Sequence, residues 1–110
     1  MPRNRLGELE EQVLLAVLRL GGESYAVPVA GELTQLTGHD VSPATVYMVM
    51  RRLETRGLLV SRVGTPSPER GGRPRRFYRI VGERALPVLR ASRESMLALW
   101  DGLETQLEES

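Results

Sequence analysis

The chain has 110 residues, 41% of them apolar, and a length of this order is typical of one domain with one modest core. It has no cysteine and a single histidine, His39, which excludes disulfide scaffolds, thiolate metal sites and most zinc sites. Because the net charge is only +1 and no apolar run reaches the ~20 residues that cross a bilayer, we expect a soluble, cytoplasmic domain that is not uniformly basic.

Two amphipathic helices are predicted in the first third of the chain. In the first, apolar residues recur at three- and four-residue steps over residues 6–18, and the pair Gly21-Gly22 follows as a stop. The second is predicted over residues 27–37, with Pro28 in its first turn, where the missing amide costs nothing.

A third helix is predicted to begin at Pro43, with Ser42 as its N-cap, and to end at Gly57. One face carries the apolar residues Val46, Val49, Met50 and Leu53. The opposite face and its flanks carry Ala44, Thr45, Tyr47, Met48, Arg51, Arg52 and Thr55. A short helix, a tight turn and a helix that presents arginines outward indicate a helix-turn-helix.

A β-hairpin is predicted directly after this helix. Residues 58–63 and 75–81 have the apolar and aromatic content of strands, and the segment between them is rich in Gly, Pro and Ser. A hairpin in this position is the wing of a winged helix. Its tip, residues 69–76, carries four arginines that can follow a phosphate backbone: Arg70, Arg73, Arg75 and Arg76.

The charge is unevenly distributed along the chain. Residues 39–81 contain nine Arg and three acidic residues, so 9 − 3 = +6, whereas the remainder contains six Arg and eleven acidic residues, so 6 − 11 = −5. A basic middle third that coincides with the third helix and the wing indicates contact with a nucleic-acid backbone.

A single long helix is predicted from Glu83 to the C-terminus, although Gly102 weakens its distal end. Its apolar residues alternate at steps of three and four, a heptad pattern with one polar interruption: Leu86, Leu89, Arg93, Met96, Trp100, Leu103 and Leu107. So small a domain has little core left to cover this face, which predicts a second subunit as its cover. These residues form the predicted dimer contact.

Four collinear motifs carry a resemblance to a known family. They are LGELE with VLL at residues 6–15, SPATVY at 42–47, RLE with RGL at 52–58, and GGR leading to FYR at 71–79. Over residues 6–81 the chain resembles the PadR family, specifically its short members with one C-terminal helix. The resemblance implies a winged-helix transcriptional regulator, usually a repressor, that dimerises through its first and last helices. It thereby adds Leu9 and Val13 of the first helix to the predicted dimer contact. In some short members a tryptophan of the last helix lines a drug-binding pore, but here that position falls at Arg93.

The predicted fold is therefore mainly α (α+β). It comprises a winged helix-turn-helix with a two-stranded wing over residues 1–81 and a dimerisation helix over residues 82–110, together forming one compact domain. The candidate DNA contacts are Ser42, Thr45, Tyr47, Met48, Arg51, Arg52, Arg70, Arg73, Arg75 and Arg76.

Each of these residues also has a simpler structural interpretation. Ser42 serves as an N-cap whether or not it also meets a phosphate, and Tyr47 could be a core residue. Arg51 could be a solvated surface charge instead of a guanine contact, and Arg52 could pair near Glu54 instead of with a phosphate.

The sequence favours a homodimeric DNA-binding regulator that needs no cofactor, over two alternatives. One is a sensor in which a small molecule binds at the dimer centre near Arg93, Met96 and Trp100 and releases the DNA. The other is a winged helix used for protein–protein contact, which the basic wing disfavours. No nucleophile–base pair or carboxylate dyad appears, so we do not expect an enzyme.

Overall fold

The structure is a computed structural model, and it describes residues 5–65 and 74–109. In chain order its elements are α1 (Glu8–Arg19), β1 (Glu23–Ser24), α2 (Ala26–Thr37), α3 (Pro43–Thr55), β2 (Leu59–Val63), β3 (Arg76–Ile80), α4 (Gly82–Trp100) and α5 (Glu104–Glu109). The predicted three helices, hairpin and C-terminal helix are all present in this order. Two of the predicted DNA contacts, Arg70 and Arg73, lie outside the described residues.

The helix boundaries follow from local chemistry. The Ser42 hydroxyl accepts a hydrogen bond from the Thr45 amide at 3.1 Å, and Pro43 occupies the first turn of α3, as predicted. Gly38 ends α2 with a φ of 77°, in the left-handed region that other residues rarely adopt. These signals place α3 directly after a short turn, which is the helix-turn-helix arrangement.

The sheet has three antiparallel strands in the order β1-β3-β2, one more than the predicted two-stranded wing. The additional strand, β1, pairs with β3 through two residues, Glu23 opposite Arg79 and Ser24 opposite Tyr78. A two-residue strand is too short to show any periodicity in the sequence. On the other side of β3, Ser61 of β2 lies opposite Tyr78, so that these side chains share the face turned toward the helices.

The hydrophobic core joins α1, α2, α3, the sheet and the first half of α4. Val13 and Leu89, which the sequence assigned to a dimer contact, are both buried in this core within one chain. The reason is that a heptad pattern identifies the residues that share a helix face but not the surface that covers them. Leu89 is largely covered by its own chain, and the assignment of both residues to a dimer contact stays a prediction.

The C-terminal segment is two helices instead of the single long helix predicted. α4 ends at Trp100, Asp101 is extended with ψ of 126°, and Gly102 has a φ of 84°. A glycine in the left-handed region terminates a helix, so the chain turns before α5 begins at Glu104. Leu103 and Leu107 are exposed beyond this turn and do not continue the face of α4 in register.

Candidate nucleic-acid interface

The first turn of α3 is exposed and fixed by Ser42. Besides capping the helix, the Ser42 hydroxyl donates a hydrogen bond to Thr45 Oγ1 at 3.0 Å, which sets the orientation of the threonine hydroxyl. Both side chains are exposed. Free amides at a helix N-terminus attract anions, so this turn can meet a phosphate while the cap stays in place.

The outward face of α3 presents Tyr47, Met48 and Arg51. Met48 is 55% exposed, and the Arg51 guanidinium carbon lies 6.0 Å from the centre of the Tyr47 ring. The Tyr47 ring in turn meets the buried ring of Tyr78 edge-on, with 6.3 Å between centroids. The Tyr47 ring therefore packs on the buried Tyr78 ring on one side and is exposed to solvent on the other. Among the described residues no carboxylate pairs with Arg51.

Arg52 is directed toward α1. Its Nε lies 3.8 Å from Glu10 Oε2, and the same carboxylate accepts a 2.8 Å hydrogen bond from Arg56 and a 2.9 Å bond from the Gly7 amide. The sequence suggested a partner near Glu54, but the partner is Glu10. The local pattern could not reveal a partner that is 42 residues away along the chain. The Arg52 side chain is still 59% exposed, so this pairing is loose.

A stack of arginines and aromatic rings lies on the outer face of the sheet at the base of the wing. Arg75 sits over the Tyr25 ring at 4.4 Å, Tyr25 meets Phe77 edge-on at 5.3 Å, and Arg62 sits over Phe77 at 4.7 Å. Arg62 also binds Glu23 through two hydrogen bonds, which raise the pKa of Arg62 and lower that of Glu23.

This stack orients Arg75, one of the predicted DNA contacts. The part played by Tyr25, Phe77 and Arg62 was not predicted from the sequence. The alternation of side chains along a strand could have placed Phe77 on the outer face, opposite to Tyr78.

The inner face of the wing strands contacts α3. Arg76 Nη1 donates to the Ser61 hydroxyl at 3.1 Å, and that hydroxyl donates to Glu54 Oε2 at 2.7 Å. Tyr78 lies beside these residues, fully buried. Burial is the main cause that raises the pKa of Tyr78 to about 12, with smaller contributions from Tyr47 and Glu54. Although Tyr47 is close enough to have this effect, the Tyr78 hydroxyl has no hydrogen bond of regular geometry within the described residues.

This burial predicts how stability changes at alkaline pH. An unfolded tyrosine ionises near pH 10, whereas folded Tyr78 holds its proton to about pH 12. The stabilising contribution of neutral Tyr78 is therefore complete below pH 10 and is lost as the pH rises through 12. Urea unfolding at stepped pH should show a steeper alkaline loss of stability for the wild type than for Tyr78→Phe.

At neutral pH the same variant should be at least as stable as the wild type. The substitution removes a buried hydroxyl without a partner, and the gain should be about 1 kcal/mol. Tyr25→Phe, which changes a tyrosine of the outer sheet face, is the control. A marked destabilisation by Tyr78→Phe at neutral pH would show that the hydroxyl is hydrogen-bonded after all.

An apolar groove runs between α1 and α4, with a volume of about 540 Å³. Its lining residues are Glu11, Leu15, Leu18, Leu86, Leu89, Arg90, Arg93, Met96, Leu97 and Trp100. Met96 is 54% and Trp100 39% exposed, although both are large and apolar. The Glu11 carboxylate accepts a 2.8 Å hydrogen bond from Ser92 and is thereby held at the side of the groove.

Over residues 5–65 and 74–109, no three His, Cys, Asp or Glu side chains converge as metal ligands would. In the same ranges, no helix has the length and apolarity that a membrane span requires.

The comparisons with known proteins agree with this geometry. The family model described as the transcriptional regulator PadR-like family matches residues 14–85, which is more than half of the chain. The chain belongs to the PadR-like family. Members of this family are transcriptional regulators that bind DNA, and the matched region contains the whole helix-turn-helix and wing.

Solved structures extend the similarity beyond the family match. A PadR family transcriptional regulator from Eggerthella lenta is 32% identical, with 94% of this chain and 88% of that one covered and a TM-score of 0.67. A transcriptional regulator from Clostridium thermocellum is 20% identical, with coverage of 86% and 87% and a TM-score of 0.65. Pex from Synechococcus is 22% identical, with coverage of 86% and 88% and a TM-score of 0.57. The last two show the fold alone, and no protein with a curated description matches the chain.

The similarity to the Eggerthella PadR protein includes α4, which the family model covers only up to residue 85. The winged-helix fold and the PadR resemblance predicted from the sequence are thus confirmed. The individual DNA and dimer contacts remain predictions.

Proposed function

We propose that this PadR-family chain is a transcriptional repressor that binds a two-fold operator as a homodimer. The observation that carries the proposal is the outward face of α3, where Tyr47, Met48 and Arg51 are exposed together. An arginine can bind guanine through two hydrogen bonds, and a methionine can contact the methyl group of thymine. The predicted wing contacts Arg70, Arg73 and Arg75 would supply phosphate contacts.

The groove between α1 and α4 supports the dimeric state. Leu15, Leu86, Met96 and Leu97 leave apolar surface exposed along both helices, and an exposed patch of this kind marks an interaction site. A second copy that presents the same two helices would cover this patch about a two-fold axis. Two copies of α3 would then face successive major grooves, with centres about 34–36 Å apart.

Selection from random duplexes tests the proposal directly. The chain should enrich an inverted repeat whose half-sites are about one helical turn apart. Sedimentation should give two chains per selected site. Enrichment of no sequence, or of a single half-site bound by one chain, would contradict the proposal. Placed in a reporter promoter, the selected site should give lower expression when the chain is present, and higher expression would identify an activator.

The groove also supports a second function, the binding of a small molecule that releases DNA. Its volume suits a small ligand, and Trp100, Met96 and Arg93 lie along its wall. Trp100 is the only tryptophan of the chain, so its fluorescence reports on this groove alone. A ligand that releases DNA should change Trp100 fluorescence, and a releasing ligand that leaves the fluorescence unchanged must bind elsewhere.

A further inference from the structure

Besides the buried core, two contacts among the described residues join the inner face of the wing strands to α3. The first is the edge-on meeting of Tyr78 with Tyr47. The second is the pair of hydrogen bonds from Arg76 to Ser61 and from Ser61 to Glu54. A serine hydroxyl has one donor and two acceptor positions, so Ser61 makes both bonds at once. This second contact takes Glu54 from α3, the recognition helix of the proposed DNA contact, Ser61 from β2 and Arg76 from β3. We call it the Glu54–Ser61–Arg76 relay.

The relay changes the expected role of Arg76. The sequence placed it among the DNA-contacting arginines of the wing, but here its guanidinium is directed at Ser61 and the Glu54 carboxylate beyond it. Arg79 is three residues further along the same strand, so it lies on the outer face with Phe77. The two arginines therefore carry equal charge on opposite faces of β3.

We propose that Glu54, Ser61 and Arg76 are positioning residues that fix the angle between the recognition helix and the wing. Without the relay, the Tyr47–Tyr78 ring contact and buried core residues such as Leu59 would still hold the hairpin against α3, but the remaining freedom of its angle would have to be ordered each time DNA binds. A surface that is already ordered avoids this cost and binds more tightly. The inference rests on the proposed DNA binding, because the angle matters only if the helix and the wing meet one duplex together.

The test is a double-variant comparison on the full-length chain. Affinity for the selected duplex is measured by fluorescence anisotropy at stepped salt concentrations for the wild type, Ser61→Ala, Arg76→Ala and the double variant. Ser61→Ala removes the middle of the relay without removing a charge, and Ser61→Thr restores a hydroxyl. Arg79→Ala is the matched control, because it removes the same charge from the outer face of the strand. Circular dichroism melts check that each variant is folded.

Each single variant should bind about three- to tenfold more weakly, the worth of one net hydrogen bond. The double variant should have the same affinity for the duplex as the single variant that binds less tightly, because both substitutions break the same relay. The slope of affinity against salt should stay that of the wild type, Ser61→Thr should recover most of the affinity, and Arg79→Ala should change little.

A direct phosphate contact by Arg76 gives a different result. In that case the fold-losses of affinity of Ser61→Ala and Arg76→Ala multiply in the double variant. Arg76→Ala also lowers the slope of log affinity against log salt concentration by about one, the value of one phosphate contact. Either outcome overturns the relay while leaving DNA binding intact. A wild-type chain that binds no duplex would instead overturn the proposed function.

Discussion

Arg51→Ala should abolish most of the sequence discrimination of the chain at one base position in each half-site. Arg51 is exposed on the outward face of α3, and within the described residues no carboxylate competes for it. A two-hydrogen-bond contact with guanine is worth about 1–3 kcal/mol of discrimination, and a dimer makes the contact twice. Affinity for the selected operator and for single-base variants of it, measured at one salt concentration, tests this expectation.

Arg51→Lys is the matched control, since lysine keeps the charge but lacks the planar fork of the guanidinium. It should discriminate less well than the wild type, because lysine reaches the guanine acceptors only as a point charge, while its salt dependence stays that of the wild type. If Arg51→Ala instead weakens binding to every sequence equally and keeps the preference, Arg51 is a phosphate contact and the specificity lies elsewhere on α3.

Met96→Glu should convert the dimer into a folded monomer and reduce operator affinity by more than about a hundredfold. Met96 is 54% exposed within one chain, so the substitution costs the monomer little. In the proposed dimer it would bury a carboxylate against the apolar groove without a partner, at a cost of several kcal/mol. Since about 1.4 kcal/mol corresponds to a tenfold change in an equilibrium constant, a cost of this size weakens dimerisation by more than about a hundredfold.

Sedimentation at several protein concentrations measures the oligomeric state, and a thermal melt shows whether the monomer remains folded. Ala91→Glu places the same charge on the same helix, at an exposed position outside the groove lining, and should stay dimeric. A Met96→Glu chain that sediments as a dimer would remove the groove from the proposed interface.

The elements that the sequence predicted well are those fixed by neighbouring residues. Ser42 and Pro43 begin α3, and Gly38 ends α2, through chemistry that acts within a few residues. The outward face of α3 was predictable for the same reason, because helix periodicity fixes which side chains point away from Val46 and Leu53.

The features that the sequence did not predict depend on contacts between distant segments. The pairing of Arg52 with Glu10 and the relay from Arg76 to Glu54 each require the tertiary packing to be known. The break at Gly102 was underestimated, because the heptad spacing continues through it and conceals the change of direction. Periodicity also could not tell that Leu89 is covered by its own chain.

The order of the sheet has a consequence for synthesis of the chain. β3 is the last strand to be made, yet it lies between β1 and β2, and its final residue Ile80 donates a 2.9 Å hydrogen bond to the Gly22 carbonyl. A nascent chain that has not reached β3, which begins at Arg76, therefore holds two strands with no neighbour and a core without Tyr78. Unpaired strands invite association with other chains. Fragments that end within the wing should therefore accumulate as aggregates in the cell, because the helices alone leave these strand edges uncovered.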